Sequence, residues 1–203
     1  MRILIVGAGP TGCYTAQLLK KMGYQPMLLE EHATLGKPVH CAGIISSEIL
    51  TLVEHFISTD AINNKVDIFS INTPWEDPFS ISKEGIAVVL NREKFDSSLG
   101  EGLDVHLGER VSSIKNNSNI YIINTEQGGK YEADILIGAD GVNSIVRKYF
   151  LHNYVKKNVK SNIKLDYYFG LQYLIELDDS SQMISHNEIR VFFNSKIPFF
   201  VWI

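Results

Sequence analysis

The chain opens with an apolar run, Arg2-Ile3-Leu4-Ile5-Val6, that passes without a linker into Gly7-Ala8-Gly9-Pro10-Thr11-Gly12. Glycines at this spacing, between an apolar strand and an amphipathic helical pattern, fit a β-α-β unit. A second apolar run, Met27-Leu28-Leu29, closes the unit on Glu30, with Glu31 beside it. Each glycine has its own reason. Gly7 permits the tight turn, Gly9 lets backbone approach a pyrophosphate, and Gly12 lets the helix lie near the strand. The helix N-terminus offers unpaired N–H groups and partial positive charge to an anion. Glu30 is placed to accept hydrogen bonds from a ribose 2′-hydroxyl, which favours an adenosine without a 2′-phosphate. Gly7, Gly9, Pro10, Thr11, Gly12, Glu30 and Glu31 are therefore the candidate dinucleotide-binding residues. An ordinary strand-helix turn would explain one of these glycines and leaves the other two without a reason.

The rest of the composition narrows the class. The chain has 203 residues, 45% hydrophobic and 21% charged, which suits one large globular domain or one domain plus part of another. A net charge of -4, with no basic stripe, argues against a nucleic-acid partner. No apolar run approaches the roughly 20 residues of a spanning helix, and the N-terminus does not read as a signal peptide. The only two cysteines, Cys13 and Cys41, lack metal-like spacing and fit a reducing cytoplasm. No metal site is expected. The last residues, Ile197-Pro198-Phe199-Phe200-Val201-Trp202-Ile203, are apolar to the end, so the expectation is a chain truncated inside a strand.

Along the chain, Thr15 to Met22 reads as helix, with Ala16, Leu18, Leu19 and Met22 apolar and Gly23 as its end. Residues 31–45 read as loop. Ser46 or Ser47 caps a helix that reaches about Phe56 with Ile49, Leu50, Val53 and Phe56 inward. Short β-rich stretches follow at Val66–Ile71, Phe79–Ser82 and Ile86–Leu90. Asn91 caps a short helix containing Arg92, Phe95 and Leu99. Val105–Leu107 and Val111–Ile114 read as a strand and its continuation, and Ile120–Tyr131 as a hairpin turning at Gly128-Gly129. Asp134–Gly138 reads as a buried strand leading to Ala139-Asp140-Gly141 and a helix over Ser144–Phe150. Strands are expected again at Tyr167–Leu177 and Glu188–Phe193.

Three segments together carry a resemblance. They are the glycine turn, Asn91-Arg92-Glu93-Lys94-Phe95-Asp96, and Ile137-Gly138-Ala139-Asp140-Gly141 running on to Ser144 and Arg147. In combination they resemble the flavoprotein hydroxylase superfamily, the group of p-hydroxybenzoate hydroxylase. The resemblance implies FAD as cofactor, with Arg92, Val111 (through its backbone), Ala139, Asp140 and Gly141 contributing to its site. Gly36-Lys37-Pro38-Val39-His40-Cys41-Ala42-Gly43 resembles the PVxC-G segment of geranylgeranyl reductases, FAD enzymes that saturate isoprenoid double bonds. The ending around Phe200 and Trp202 is similar to the start of their Y-x-W-x-F-P segment, with Phe in place of Tyr and Pro198 one position off, and Gly170-Leu171-Gln172-Tyr173 resembles one of their substrate-domain strands. The family's third FAD element, a Gly-Asp segment, would lie beyond Ile203.

These readings give an α/β expectation: a Rossmann-like FAD-binding domain over residues 1–150, with a β-rich insertion at about 60–90. Residues 151–203 would begin a β-rich substrate-binding domain. The expected activity is hydride transfer from flavin to an isoprenoid double bond, with NAD(P)H open as electron donor and an apolar prenyl substrate. Cys41, with His40 adjacent, is the candidate proton donor, against a plain packing role. For Cys13, at the helix start, packing outweighs an activated thiol. Phe199, Phe200 and Trp202 either wall the prenyl pocket or fill core. Lys156, Lys157 and Lys160 either meet an anionic membrane surface or substrate pyrophosphate, or form a solvated linker. The expected setting is cytoplasmic, with peripheral membrane contact as a variant. The rival functions are a flavin-dependent aromatic monooxygenase and a truncated FAD-binding module without turnover.

Overall fold

The computed structural model describes residues 1–155, 166–176, 185–196 and 199–203. Its first elements are β1 (Ile3–Val6), α1 (Pro10–Lys21), β2 (Met27–Glu30), β3 (Ile44–Ser46) and α2 (Ser47–Val53). Two single 3-10 turns, Glu54–Phe56 and Thr59–Ala61, lead to β4 (Ile62–Asn72) and β5 (Phe79–Leu90). Then come α3 (Arg92–Leu99), β6 (Asp104–Leu107), β7 (Val111–Asn117), β8 (Ile120–Thr125) and β9 (Lys130–Ala133). The remainder is β10 (Ile135–Gly138), α4 (Ile145–Phe150), a π-turn over Leu151–Val155, β11 (Glu188–Phe193) and β12 (Phe200–Trp202). The chain forms two compact units, one of residues 1–39 and 93–169, the other of 40–92 and 170–203.

The first unit is built on a wholly parallel sheet in the order β10-β1-β2-β6. Its central strands are apolar at every position except the terminal Glu30 of β2, because both faces are covered. Leu4, Val6 and Leu29 pack with Ile123 and Ala133 of the antiparallel β7-β8-β9 sheet. Ile5 and Leu28, pointing the other way by alternation, are also fully buried. Burying each such side chain stabilises by roughly 1.5–3 kcal/mol, so alternation would be a loss here.

Several sequence expectations change. Helix α1 begins at Pro10, not Thr15, because proline at the first helical position gives up no needed donor. Its buried face is Gly12, Cys13 and Ala16; Leu18 and Met22 are exposed. Small residues let the helix sit directly on the sheet, so its larger apolar side chains end outside. Val105–Leu107 and Val111–Ile114 are not one continued strand: Gly108, at φ +73°, turns the chain from the parallel sheet into the antiparallel one. Strand β10 is at the sheet edge with Ile135 exposed, not buried. The expected strand at Tyr167–Leu177 is irregular over 166–176, and Leu177 lies outside the described residues. Among the described residues no strand pairs with this stretch, and an unpaired strand leaves its ladder groups to water. Ile197, Pro198, Lys156, Lys157 and Lys160 also lie outside the described residues.

In the second unit a five-stranded sheet runs β12-β11-β4-β5-β3, with β11 parallel to β4 and the other pairs antiparallel. The stretches at Phe79–Ser82 and Ile86–Leu90 form a single strand, bent where Gly85 takes φ +58°. The Asp67 carboxylate secures that bend by accepting from Gly85 N at 2.6 Å and from Asn187 Nδ2 at 2.9 Å. Ser46 is the cap of α2, its Oγ accepting from Ile49 N at 3.3 Å; Ile49 itself is exposed, while Val53 is buried.

A polar cluster ties β11 to this sheet. The Glu188 carboxylate accepts from Ser70 Oγ at 2.6 Å and from Arg190 Nε at 2.8 Å, and Ser70 Oγ meets Ser80 Oγ at 2.7 Å. Arg190 and Ser70 hold the Glu188 carboxyl well below its usual range, at about 2 against 4.5. A carboxyl with a lowered folded-state value stabilises fully above its unfolded value and ceases to do so as pH falls through the folded one. Stability should therefore decline between about pH 4.5 and about pH 2 as this group protonates. Glu188→Gln should flatten that part of the wild-type profile in urea denaturation at stepped pH.

Candidate dinucleotide site

Strand β1 leads on one side to β2 and on the other to β10, so the strand order reverses at its C-terminal end. Open parallel sheets bind ligands in the crevice at such a switch point. Three chain turns meet there. Gly7 N donates to Leu29 O at 2.8 Å, and Ala139 N donates to Val6 O at 2.8 Å. The tips of β2 and β10, carrying Glu30 and Asp140, are thereby fixed on either side of the glycine turn.

The glycines divide by what surrounds them. Gly7 takes φ +95°, and a Cβ there would lie 2.4 Å from Ala139 O. At Gly12 a Cβ would fall 1.9 Å from Gly7 O, so this helix cannot pack on its turn with any larger residue. At Gly9 a Cβ would meet no protein atom within 4 Å. Gly9 therefore needs no glycine for the fold's own packing, and its bare backbone faces open space. No side chain caps α1, and no acidic residue stands in its first turn. The first-turn amides of a helix lack intrahelical partners, so this end suits an anion. The exposed Thr11 adds a hydroxyl-bearing side chain beside them.

The two strand-tip carboxylates differ. Glu30 is buried, and its Oε2 accepts from Ala8 N at 2.8 Å. Its Oε1 accepts from His32 N at 3.0 Å and lies 2.6 Å from His32 Nδ1. The sequence reading missed His32; its only sequence signal is a donor two residues after a strand-end acid. Glu31 is exposed, with its Oε2 3.4 Å from Arg110 Nε. Asp140 turns toward α4: Oδ1 accepts from Ser144 Oγ at 2.5 Å, and Oδ2 from Ile145 N at 2.6 Å and Val146 N at 3.3 Å. Ser144 Oγ in turn accepts from Arg147 N at 2.9 Å, completing the cap. Gly141 takes φ +68°, which lets the chain reverse into this cap.

Val111, the first residue of β7, packs into the core behind β1 while its backbone stands at a register irregularity. In the second unit, Arg92 passes its Cγ 3.3 Å from where a Gly43 Cβ would stand, and Gly43 O accepts from Leu90 N at 2.9 Å. Cys41 is exposed, and its Sγ accepts from Gly43 N at 3.4 Å. Cys13 is the opposite: buried, with Sγ donating to Ala8 O at 3.1 Å. Desolvation, with Asp96 and Glu30 adding negative charge, pushes its thiol up to about 12. Burial therefore prevails over any lowering from the helix end. Among the described residues, no group of three or more His, Cys, Asp and Glu could hold a metal ion. No helix among them is long and apolar enough to cross a membrane.

A parallel sheet with a glycine turn at its switch point, an open backbone approach and an acidic second strand define a dinucleotide-binding protein of the Rossmann type. Residues 1–163 match the family model described as FAD binding domain; the chain belongs to that family, and FAD is its cofactor. Digeranylgeranylglycerophospholipid reductase 3 of Methanosphaera stadtmanae is 27% identical over 210 residues, covering 97% of this chain and 51% of that protein. The chain thus spans about half the length of this curated relative. A geranylgeranyl bacteriochlorophyll reductase-like protein from Thermoplasma acidophilum shares the fold, with TM-score 0.72 and 21% identity over 99% of this chain and 52% of that one. The 2,6-dihydroxypyridine-3-hydroxylase of Arthrobacter nicotinovorans matches less of the fold, with TM-score 0.59 and 22% identity over 74% of this chain and 39% of that one.

The glycines give a contrast to test. Gly12→Ala should destabilise the protein by about 3 kcal/mol or more in chemical denaturation, since the clash is with backbone. Gly9→Ala should keep wild-type stability yet lose FAD affinity at least tenfold, measured by quenching of flavin fluorescence. Thiol labelling at mildly alkaline pH should modify Cys41 quickly in the folded protein and Cys13 only after denaturant is added.

Proposed function

We propose that this chain is the FAD-holding portion of an oxidoreductase that saturates isoprenoid double bonds, acting on a prenyl lipid. The observation that carries the reading is the bare Gly9 backbone at the switch point, on a chain aligned along nearly its whole length with a digeranylgeranylglycerophospholipid reductase. When bound, FAD supplies hydride chemistry, and the protein supplies position and electrostatics.

The residues present fit that cofactor. The backbone at Gly9 and the Thr11 and Gly12 end of α1 receive the pyrophosphate, with Pro10 starting the helix without a donor to lose. Glu30 accepts from the adenosine ribose, and Glu31 with Arg110 flanks it. The Val111 backbone faces adenine. Ala139, Asp140 and Gly141 present their turn to the cofactor through backbone, because the Asp140 carboxylate is committed to α4. Arg92 supplies positive charge. In the second unit, Cys41 delivers a proton from Sγ to the alkene carbon that hydride does not reach, and its exposure leaves the thiol accessible. The prenyl chain lies along the half-exposed apolar sheet face that includes Phe193, Phe200 and Trp202. Residues 40–92 with 170–203 would then be the substrate-binding part. NAD(P)H is the proposed electron source, and contact with a membrane surface is proposed only through the lipid nature of the substrate.

Purified protein mixed with FAD should turn yellow and retain flavin through desalting. Reduced anaerobically with dithionite, it should convert a geranylgeranyl-bearing lipid to products heavier by hydrogen pairs in mass spectrometry, and Cys41→Ala should lower that rate about a hundredfold. Oxygen uptake coupled to a hydroxylated aromatic product would replace this reading with a monooxygenase. Flavin retention without any turnover would leave a binding module.

A further inference from the structure

We infer that His32 is a positioning residue for the adenosine end of the cofactor, orienting the Glu30 carboxylate so that a single acceptor site remains for a ribose hydroxyl. The inference rests on the glycine turn holding FAD, and it adds a residue that no motif marks.

A carboxylate offers about four lone-pair directions. In Glu30 three are engaged: Oε1 by His32 N at 3.0 Å and His32 Nδ1 at 2.6 Å, and Oε2 by Ala8 N at 2.8 Å. The remaining one belongs to Oε2, the oxygen on the glycine-turn side. The Glu30 side chain is 11% exposed and that of His32 42%, so the histidine shields most of the carboxylate from solvent and leaves a small exposed remainder. Both backbones are pinned as well. Glu109 N donates to Glu30 O at 2.8 Å, and Gly108 N donates to His32 O at 3.0 Å. His32 Nε2 lies 4.0 Å from Glu31 Oε1, so the ring stands between the two acids.

Without the ring, Oε1 keeps only a backbone donor, and the carboxylate can rotate about its terminal torsion, which is intrinsically soft. A ribose hydroxyl would then have to order the acceptor it binds. With the ring in place the acceptor is preorganised. Asparagine at this position carries an Nδ2 donor at the same remove from the backbone as Nδ1 and should do the same work. The chemistry recognised is a neutral vicinal diol of an adenosine, with one hydroxyl donating to Glu30.

The test uses wild-type protein, His32→Ala and His32→Asn. Each is titrated with FAD and with an FAD analogue whose adenosine lacks the 2′-hydroxyl, following flavin fluorescence. His32→Ala should bind FAD about tenfold more weakly, the loss expected for one hydrogen bond to a charged group. It should bind the analogue within about twofold of wild type, and His32→Asn should recover FAD affinity to within about threefold. Equal losses for both ligands, unchanged FAD affinity in His32→Ala, or no recovery in His32→Asn would each overturn the inference while leaving the FAD reading intact. Wild-type protein that binds neither ligand would overturn both. Thermal melts of the free proteins separate misfolding from these outcomes, because His32→Asn keeps the local donor.

Discussion

The close approach of Gly12 to the Gly7 carbonyl governs the rest of the molecule. A Cβ at Gly12 would stand 1.9 Å from that oxygen, so the helix start and the strand end are in direct backbone contact. Gly7 makes a second such approach, to Ala139 O. These contacts set the height of α1 over the sheet and the position of the β10 turn relative to β1. With Gly7 N bonded to Leu29 O and Ala139 N to Val6 O, three separate stretches of sequence are held to a common point. The uncapped first turn of α1 stands at the C-terminal end of β1 as a by-product of that packing.

The two acidic strand tips show how one residue type serves different purposes in mirrored positions. Glu30 ends, and Asp140 follows, a parallel strand next to β1. Glu30, with its longer side chain, reaches back to Ala8 and receives His32, so three donors meet a carboxylate held inside the protein, which offsets part of the cost of burying it. Asp140, one methylene shorter and followed by a glycine reversal, bends forward onto α4. The first carboxylate accepts from the glycine turn and from His32. The second is used up in starting a six-residue helix that has little intrinsic stability of its own.

The second unit solves a different problem. Its sheet joins residues 40–92 to strands from near residue 200, so its pairing depends on contacts distant in sequence. The hydrophobic part of that joint is Val66, Ala87, Ile189 and Val191. The polar part is the Ser70, Ser80, Glu188 and Arg190 cluster on alternate positions of the same strands, with Asn187 and Asp67 beside it. Hydrogen bonds of this kind are directional, so they select the register in which apolar contacts alone would tolerate slippage.

How much of this was legible differs by element. The β1 turn, the acidic end of β2, the Gly128-Gly129 hairpin, the Ser144 cap and the extent of β11 could be read locally, because each rests on neighbours within a few residues. Helix α1 starts earlier than the apolar periodicity alone gives, because Pro10 belongs to its first turn, a position proline suits. The outward position of Leu18 and Met22, the split between β6 and β7, and the edge position of β10 depend on which strand lies beside which, and sequence periodicity carries no such information. The same holds within the site. Local spacing singled out Gly9 and Glu30 as candidates, since a pyrophosphate and a ribose would ask for a bare backbone and an acid at set distances along the chain. The chain alone therefore determined the fold class and the cofactor chemistry. Only the folded arrangement decided that Gly12 and Gly7 are structural while Gly9 is open, that Asp140 is a cap, that Cys13 is buried and Cys41 exposed, and that His32 shares the Glu30 carboxylate, because burial and hydrogen-bond partners are properties of residues brought together from far apart.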